Sequence, residues 1–324
     1  RLVVMAGIVA SLYGVYQLMF GYPAFEQYWI DNTDFYASIA VGHVRRAVAT
    51  FSSAEEWGRY TEIGAIVAFG LAAGAKKFSA RIGWLICGLA SLSAVLLSGQ
   101  RTAVFGLLVG VATLVLLGAA TLPRAIMRVG LLLLPVVLIM VFVSPPTDAD
   151  MWSKGDDETV STLLSHTQRG TLKPGGEESL QARFENWNIL LTQVIPYRPL
   201  GAGLGAGSLS EMRFSSNSDL PPIDSFILVM AVACGIPGVL LFVWILSRAT
   251  WLSVRTARRA AISARNANIN RIVAALMPAL ILNSMFGLTF TIYSVAPVAW
   301  LLIGWISAES KRIPPADQRE ILTI

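Results

Sequence analysis

Blocks of roughly 16 to 24 apolar residues recur along this chain, each near the length a helix needs to cross about 30 Å of hydrocarbon. They fall at about residues 2–21, 60–75, 82–98, 103–120, 126–143, 223–246, 272–290 and 291–307. Inside a bilayer a backbone can satisfy its own hydrogen bonds only as a helix or as a closed barrel. The strict apolar–polar alternation of a barrel strand is absent, so the blocks are expected to be helices. Charged residues make up 14% of the chain, against about a quarter in an average soluble domain. The expected fold is therefore all-α: a polytopic helical membrane protein with about eight spans. The block at 60–75 is short, and the last two are joined too tightly for ordinary spans, which suggests either a hairpin that does not fully cross or tilted helices sharing a bent junction near Tyr293.

The connections between blocks alternate in charge. One set carries Lys76, Lys77 and Arg81, then Arg124 and Arg128, then six arginines from Arg248 to Arg271 without an acid, then Lys311 and Arg312. The other set, residues 21–59 and 144–222, is mixed in sign and rich in Asp and Glu. An excess of Lys and Arg marks cytoplasmic loops, so the first set is expected inside and the second outside. The net charge of +5 is then a topology and headgroup signal rather than a nucleic-acid footprint. Four regions follow: membrane helices over 1–143, an extracytoplasmic loop over 144–222, membrane helices over 223–307 and a cytoplasmic tail over 308–324. The chain enters its first apolar block directly from Arg1 with no cleavable leader pattern, so further helices are expected ahead of it. Cys87 and Cys234 sit within apolar blocks as small hydrophobes, and no Cys or His spacing suggests a metal.

The long outer loop is where chemistry is expected. Its first half, residues 145–176, is rich in Ser, Thr, Gly, Pro and acids and reads as irregular. In residues 179–195, Leu180, Phe184, Trp187, Leu191 and Val194 recur at helical spacing, which predicts a short amphipathic helix. Arg183 and Trp187, four apart, share a face. They serve either to anchor that helix at headgroup depth or, on the sharper reading, to let a planar guanidinium grip a lipid-linked phosphate. Beyond Arg198 comes the turn P-L-G-A-G-L-G, whose Gly201, Gly203 and Gly205 permit close backbone approach to a ligand or to another helix. It is neither a Walker loop nor a dinucleotide fingerprint, since no Gly-Lys-Ser/Thr follows and no strand precedes it.

Three more polar residues fall at the outer ends of apolar blocks: Glu62, Arg101 in the turn S-G-Q-R, and Asp224. Each has an ordinary explanation: a solvated end for Glu62, snorkelling for Arg101, helix capping for Asp224. Jointly they lie at one membrane face with the Arg183 loop, and ionisable groups at spans carry a functional default.

These residues, in this order, resemble the superfamily of O-antigen ligases and Wzy-type polysaccharide polymerases of bacterial envelopes. The features carrying the resemblance are the turn ending in Arg101, the R-x-x-x-W of Arg183 and Trp187, and the glycine turn. A polar pair at Asp224-Ser225 then opens a block ending C-G-I-P-G-V-L-L-F, and T-F-S-S-A-E-E-W (50–57) is similar to the loop preceding a family helix. The resemblance covers about residues 50–307. It implies a multi-pass protein of the bacterial cytoplasmic membrane with an outward-facing site. The implied donor is a glycan on undecaprenyl pyrophosphate, the acceptor a glycan or lipid, and no nucleotide or required metal is implied. Envelope-assembly proteins are further implied partners. In that frame Asp224 is the first candidate base and Glu62 the second, with Arg183 and Arg101 stabilising the leaving pyrophosphate. Trp187, Arg198 and the glycines are then placed at the substrate. Ligases of this family usually carry His-Asn where this chain has Asp224-Ser225, which favours a polymerase. The competing classes are a transporter of lipid-linked or anionic solutes and a scaffold subunit. No internal repeat supports the first, and the second leaves the Arg-Trp-Gly loop unexplained.

Overall fold

The computed structural model describes residues 1–32, 40–41, 44–118, 178–204, 206, 220–221, 223–259 and 264–312. Among these the chain forms nine α-helices: α1 (Leu2–Phe20), α2 (Ala24–Asp31), α3 (Ala54–Gly74), α4 (Phe78–Leu97), α5 (Arg101–Gly118), α6 (Glu178–Ile189), α7 (Phe226–Arg259), α8 (Ala264–Met285) and α9 (Ala296–Arg312). One two-residue antiparallel ladder pairs Ala40 with Arg45 and Val41 with Val44. Four helices, α1, α4, α5 and α7, are long and apolar enough to cross a membrane. The block expected at 126–143 and the irregular half of the outer loop lie outside the described residues.

α3 is the hub, packing against α1, α4, α5 and α8. Its sequence explains this, because Gly58, Gly64, Ala65, Ala68 and Ala72 are buried along it and small residues let helix axes close. Large apolar side chains instead face outward elsewhere: Phe78, Ile86 and Leu89 on α4, and Leu2, Val9 and Leu12 on α1, are exposed. That inversion of the soluble pattern is what a lipid surround allows.

α3 begins earlier than the apolar block at 60–75, so that Glu55, Glu56 and Arg59 ahead of it are also inside the helix. Ser53 caps it, accepting from the Glu56 N–H at 3.2 Å. The Glu56 carboxylate reaches back to the Ser52 N–H at 3.0 Å and hydroxyl at 2.7 Å, a variant of the capping box. Its other oxygen accepts from Ser294 N–H at 3.1 Å, which ties the start of α3 to the turn between α8 and α9.

The block at 223–246 is not one straight span. Gly235 has φ 68° and ψ −169°, a break inside α7. Sixteen residues of straight helix would separate Phe226 from Phe242 by about 24 Å. Their ring centroids are 5.0 Å apart, so the chain folds back on itself at Gly235. Residues 226–234 form a short limb and residues 236–259 a longer one, about 36 Å at helical rise and sufficient to cross by itself. Phe226, Phe242, Phe290 and Trp300 pack with centroids 5.0 to 5.5 Å apart and join both limbs to α9. At the far end of the long limb, Arg248 and Arg255 flank the Trp251 ring at 4.6 and 4.9 Å, cations and aromatic together as at a membrane interface.

Candidate active site

α6 lies on the short limb of α7. Leu190, fully buried, packs with Ile223, Leu228 and Val232. The face turned inward holds only part of the stripe expected from spacing: Trp187 and Val194 pack inward, while Phe184 and Leu191 are 59% and 54% exposed. Arg183 and Leu190 face the protein as well. The helix continues through a π turn at Leu190–Val194 and a 3₁₀ turn at Ile195–Tyr197, so simple α spacing fails beyond Leu190.

This seating brings together three residues from distant parts of the sequence. The Arg183 guanidinium forms an ion pair with the Asp224 carboxylate. Trp187 Nε1–H donates to the other Asp224 oxygen at 3.3 Å. The Trp187 ring stacks on Phe286 at 5.8 Å, and Phe184 meets it edge-on at 5.8 Å. Arg183 and Asp224 keep 30% and 39% of their side-chain surface exposed, so the pair is open on one side.

The glycine turn sits against the break in α7. Ala202 N–H donates to Val232 carbonyl oxygen at 2.8 Å and Gly203 N–H to that of Ala233 at 3.0 Å, while Ile236 N–H donates to the Pro199 carbonyl at 2.9 Å. The turn thereby caps the end of one limb and the start of the next, supplying partners for backbone groups that a helix end leaves free. Gly201 (φ 86°) and Gly235 (φ 68°) meet backbone to backbone. A Cβ on Gly201 would lie 2.4 Å from the Ala233 oxygen, and one on Gly235 2.2 Å from the Pro199 oxygen. Of the two partners expected for these glycines, ligand or helix, Gly201 has the helix. Gly203 shares the capping bonds but has open space on its Cα, Arg198 is exposed, and Gly205 lies outside the described residues.

The turn after α8 links this cluster to α3. Phe286 carries the Trp187 stack, and the Gly287 carbonyl accepts from Phe226 N–H at 3.1 Å, two residues after Asp224. On its other side Gly287 abuts the Arg59 guanidinium, where a Cβ would collide. Arg59 is 1% exposed, paired with Glu55 at 2.7 Å and donating to the Thr289 hydroxyl at 2.5 Å. The structure sets Arg59 one backbone turn from Asp224.

Residues 86–243 match the family model described as O-antigen ligase (Wzy_C). That stretch of the chain is similar to the O-antigen ligase family. No curated protein matches the chain. The matched stretch holds Arg101, Arg183, Trp187, the glycine turn, Asp224 and the break at Gly235, while Arg59, Glu62 and the 286–289 turn lie outside it.

Glu62 and Arg101 occupy neighbouring layers. Glu62 is buried and accepts from Asn283 Nδ2–H at 2.7 Å. Gly106 of α5 lies against it, so closely that a Cβ would sit 2.2 Å from its oxygen. Asn283 stands one helical turn before Phe286, so Glu62 lies beneath the Asp224 cluster. Arg101 opens α5 next to Gln100, which packs on Gly58 of α3. Burial lowers the proton affinity of the nearby Arg46 guanidinium; Glu55 opposes that shift and the positive charge of Arg101 adds to it. Arg46 and Arg101 thus lie close enough for their charges to act on each other, with Glu55 beside them.

Signals for the break in α7 were present in C-G-I-P. Gly just past a helix end and Pro in the first turn of the next is the usual asymmetry of helix termini. An unbroken apolar run masked it. Nothing local to residue 59 or residue 286 announces a role, because both gain theirs from the turn between α8 and α9.

Proposed function

We propose that this protein transfers oligosaccharide units from undecaprenyl pyrophosphate at the outer face of the cytoplasmic membrane, as a polymerase rather than a ligase. The observation that carries the reading is the convergence of Arg183, Trp187 and Asp224 within the matched stretch. An acceptor hydroxyl attacks the anomeric carbon of the donor sugar, the new glycosidic bond forms, and the bond from that carbon to pyrophosphate breaks. The hydroxyl proton goes to Asp224, the general base, and the charge developing on the leaving pyrophosphate is met by Arg183 and Arg101. Asp224 is preferred over Glu62 because it is accessible, whereas Glu62 is enclosed by Asn283 and Gly106. Trp187 orients the carboxylate, and Arg198 and Gly203 border the path of the glycan.

The resting ion pair adds a step. An incoming pyrophosphate competes with Asp224 for Arg183, because guanidinium binds phosphate and carboxylate in the same forked geometry. Donor binding then frees the carboxylate just when a base is required. The polymerase reading rests on Asp224-Ser225 standing where resembling ligases carry His-Asn.

Deletion of the gene followed by glycan analysis tests the function. Single repeat units accumulating on the lipid carrier are the expected outcome. Finished chains stranded on the carrier would make the protein a ligase, and unchanged outer-face glycans would remove both readings.

A further inference from the structure

The end of the bundle opposite Arg183 and Asp224 contains a cavity of about 830 Å³ between α3, α4 and α8. Cavities that enclose a small-molecule ligand typically span about 300–1,000 Å³. Its deep part is lined by Val67, Leu276 and Leu302, and its outer end by Arg1, Lys76 and Lys77. Val67 lies seven residues before Gly74 on α3, so the slot runs about 10 Å along the helix axis from the terminus inward. Among the described residues no Asp or Glu lines it.

One wall is closed by tight contacts. Ile272 presses on Gly70, where a Cβ would lie 2.2 Å from its side chain. Asn268 Nδ2–H donates to the Gly70 carbonyl at 2.9 Å, fixing the start of α8 to the end of α3. Trp84 of α4 faces the slot within two turns of Lys77, the depth at which aromatic residues favour a membrane interface. An apolar shaft with exposed ammonium groups at its rim matches a molecule with an anionic head and a hydrocarbon tail. A soluble anion has no use for the shaft, and a zwitterionic lipid gains little from the exposed rim cations.

We infer that this slot binds one anionic phospholipid of the leaflet opposite the transfer site, its phosphate at Lys76 and Lys77 and an acyl chain along Val67, Ile272 and Leu276. The inference does not depend on the reaction proposed above, and its test uses no activity. The full chain, purified in neutral detergent, is titrated separately with phosphatidylglycerol, phosphatidylcholine and inorganic phosphate while thermal unfolding is followed. Phosphatidylglycerol at saturation is expected to raise Tm by about 3–5 °C, as linkage to a native-state ligand predicts. The other two are expected to leave it unchanged. The Lys76→Ser/Lys77→Ser variant removes the rim charges, and Ile269→Trp keeps them but fills the shaft; each is expected to abolish the increment. Equal stabilisation by phosphatidylcholine, stabilisation by phosphate alone, or a full increment retained in either variant overturns the assignment.

Discussion

Asp224 and Arg183 hold each other in the absence of substrate, and their partial exposure limits what that contact does for the fold to about 1 kcal/mol at most. The pair is better understood through what it withholds. If pyrophosphate displaces Asp224 from Arg183, the two positions respond differently to substitution. Asp224→Asn is expected to leave donor binding intact or tighter while lowering kcat by about 10²–10⁴-fold, the usual contribution of a general base. Arg183→Lys keeps the charge and loses the fork, so it is expected to weaken donor binding and turnover together. Single-turnover assays with lipid-linked donor separate these effects. Normal turnover in Asp224→Asn ends its role as base, weaker donor binding in that variant ends the competition, and full activity in Arg183→Lys removes bidentate recognition.

Among the elements, the glycine turn and the break in α7 form one unit, each supplying what the other lacks. Gly201 and Gly235 both have positive φ and touch, so Gly201→Ala and Gly235→Ala are each expected to destabilise by about 2–4 kcal/mol, from strain and collision together. The double variant is expected to lose less than the sum, because the first substitution already undocks the turn. Thermal unfolding in detergent measures this, and strict additivity would mean the two glycines act separately. Much at this scale is legible in sequence: the starts and ends of α1, α4 and α5 follow their apolar blocks within a few residues. The inward face of the helix that starts as α6 is so only in part. Helical spacing selected Phe184 and Leu191 along with Trp187 and Val194, and only the latter two pack inward, because in a lipid or interfacial setting apolar residues need not point inward. The polar Arg183 does, because its partner lies there.

At the scale of the molecule, the helix ends sort by chemistry. Lys76 and Lys77 end α3 at one side, while Ser53, Arg59 and Glu62 lie at or towards its start, and a helix of 21 residues holds the two ends about 30 Å apart. In a background without Cys87 and Cys234, Ser52→Cys is expected to react with a membrane-impermeant thiol reagent applied to intact cells. Lys77→Cys is expected to react only after the membrane is opened. The reverse pattern would turn the Asp224 cluster towards the cytoplasm and exclude an outward-facing transfer site.

The sequence by itself determined that the chain is helical and apolar enough for a membrane, and it singled out Arg183, Trp187 and Asp224 as worth bringing together. Both inferences rest on properties that act along the chain: hydrocarbon thickness sets block length, and an ionisable residue beside an apolar block is costly wherever it falls. Tertiary structure alone decided that α7 folds back at Gly235, that the glycine turn caps it, and that the 286–289 turn joins Arg59 to the Asp224 cluster. Those are contacts between residues tens to hundreds of positions apart. A local sequence specifies a backbone's willingness to bend, but the groups that satisfy the bend are chosen only by packing.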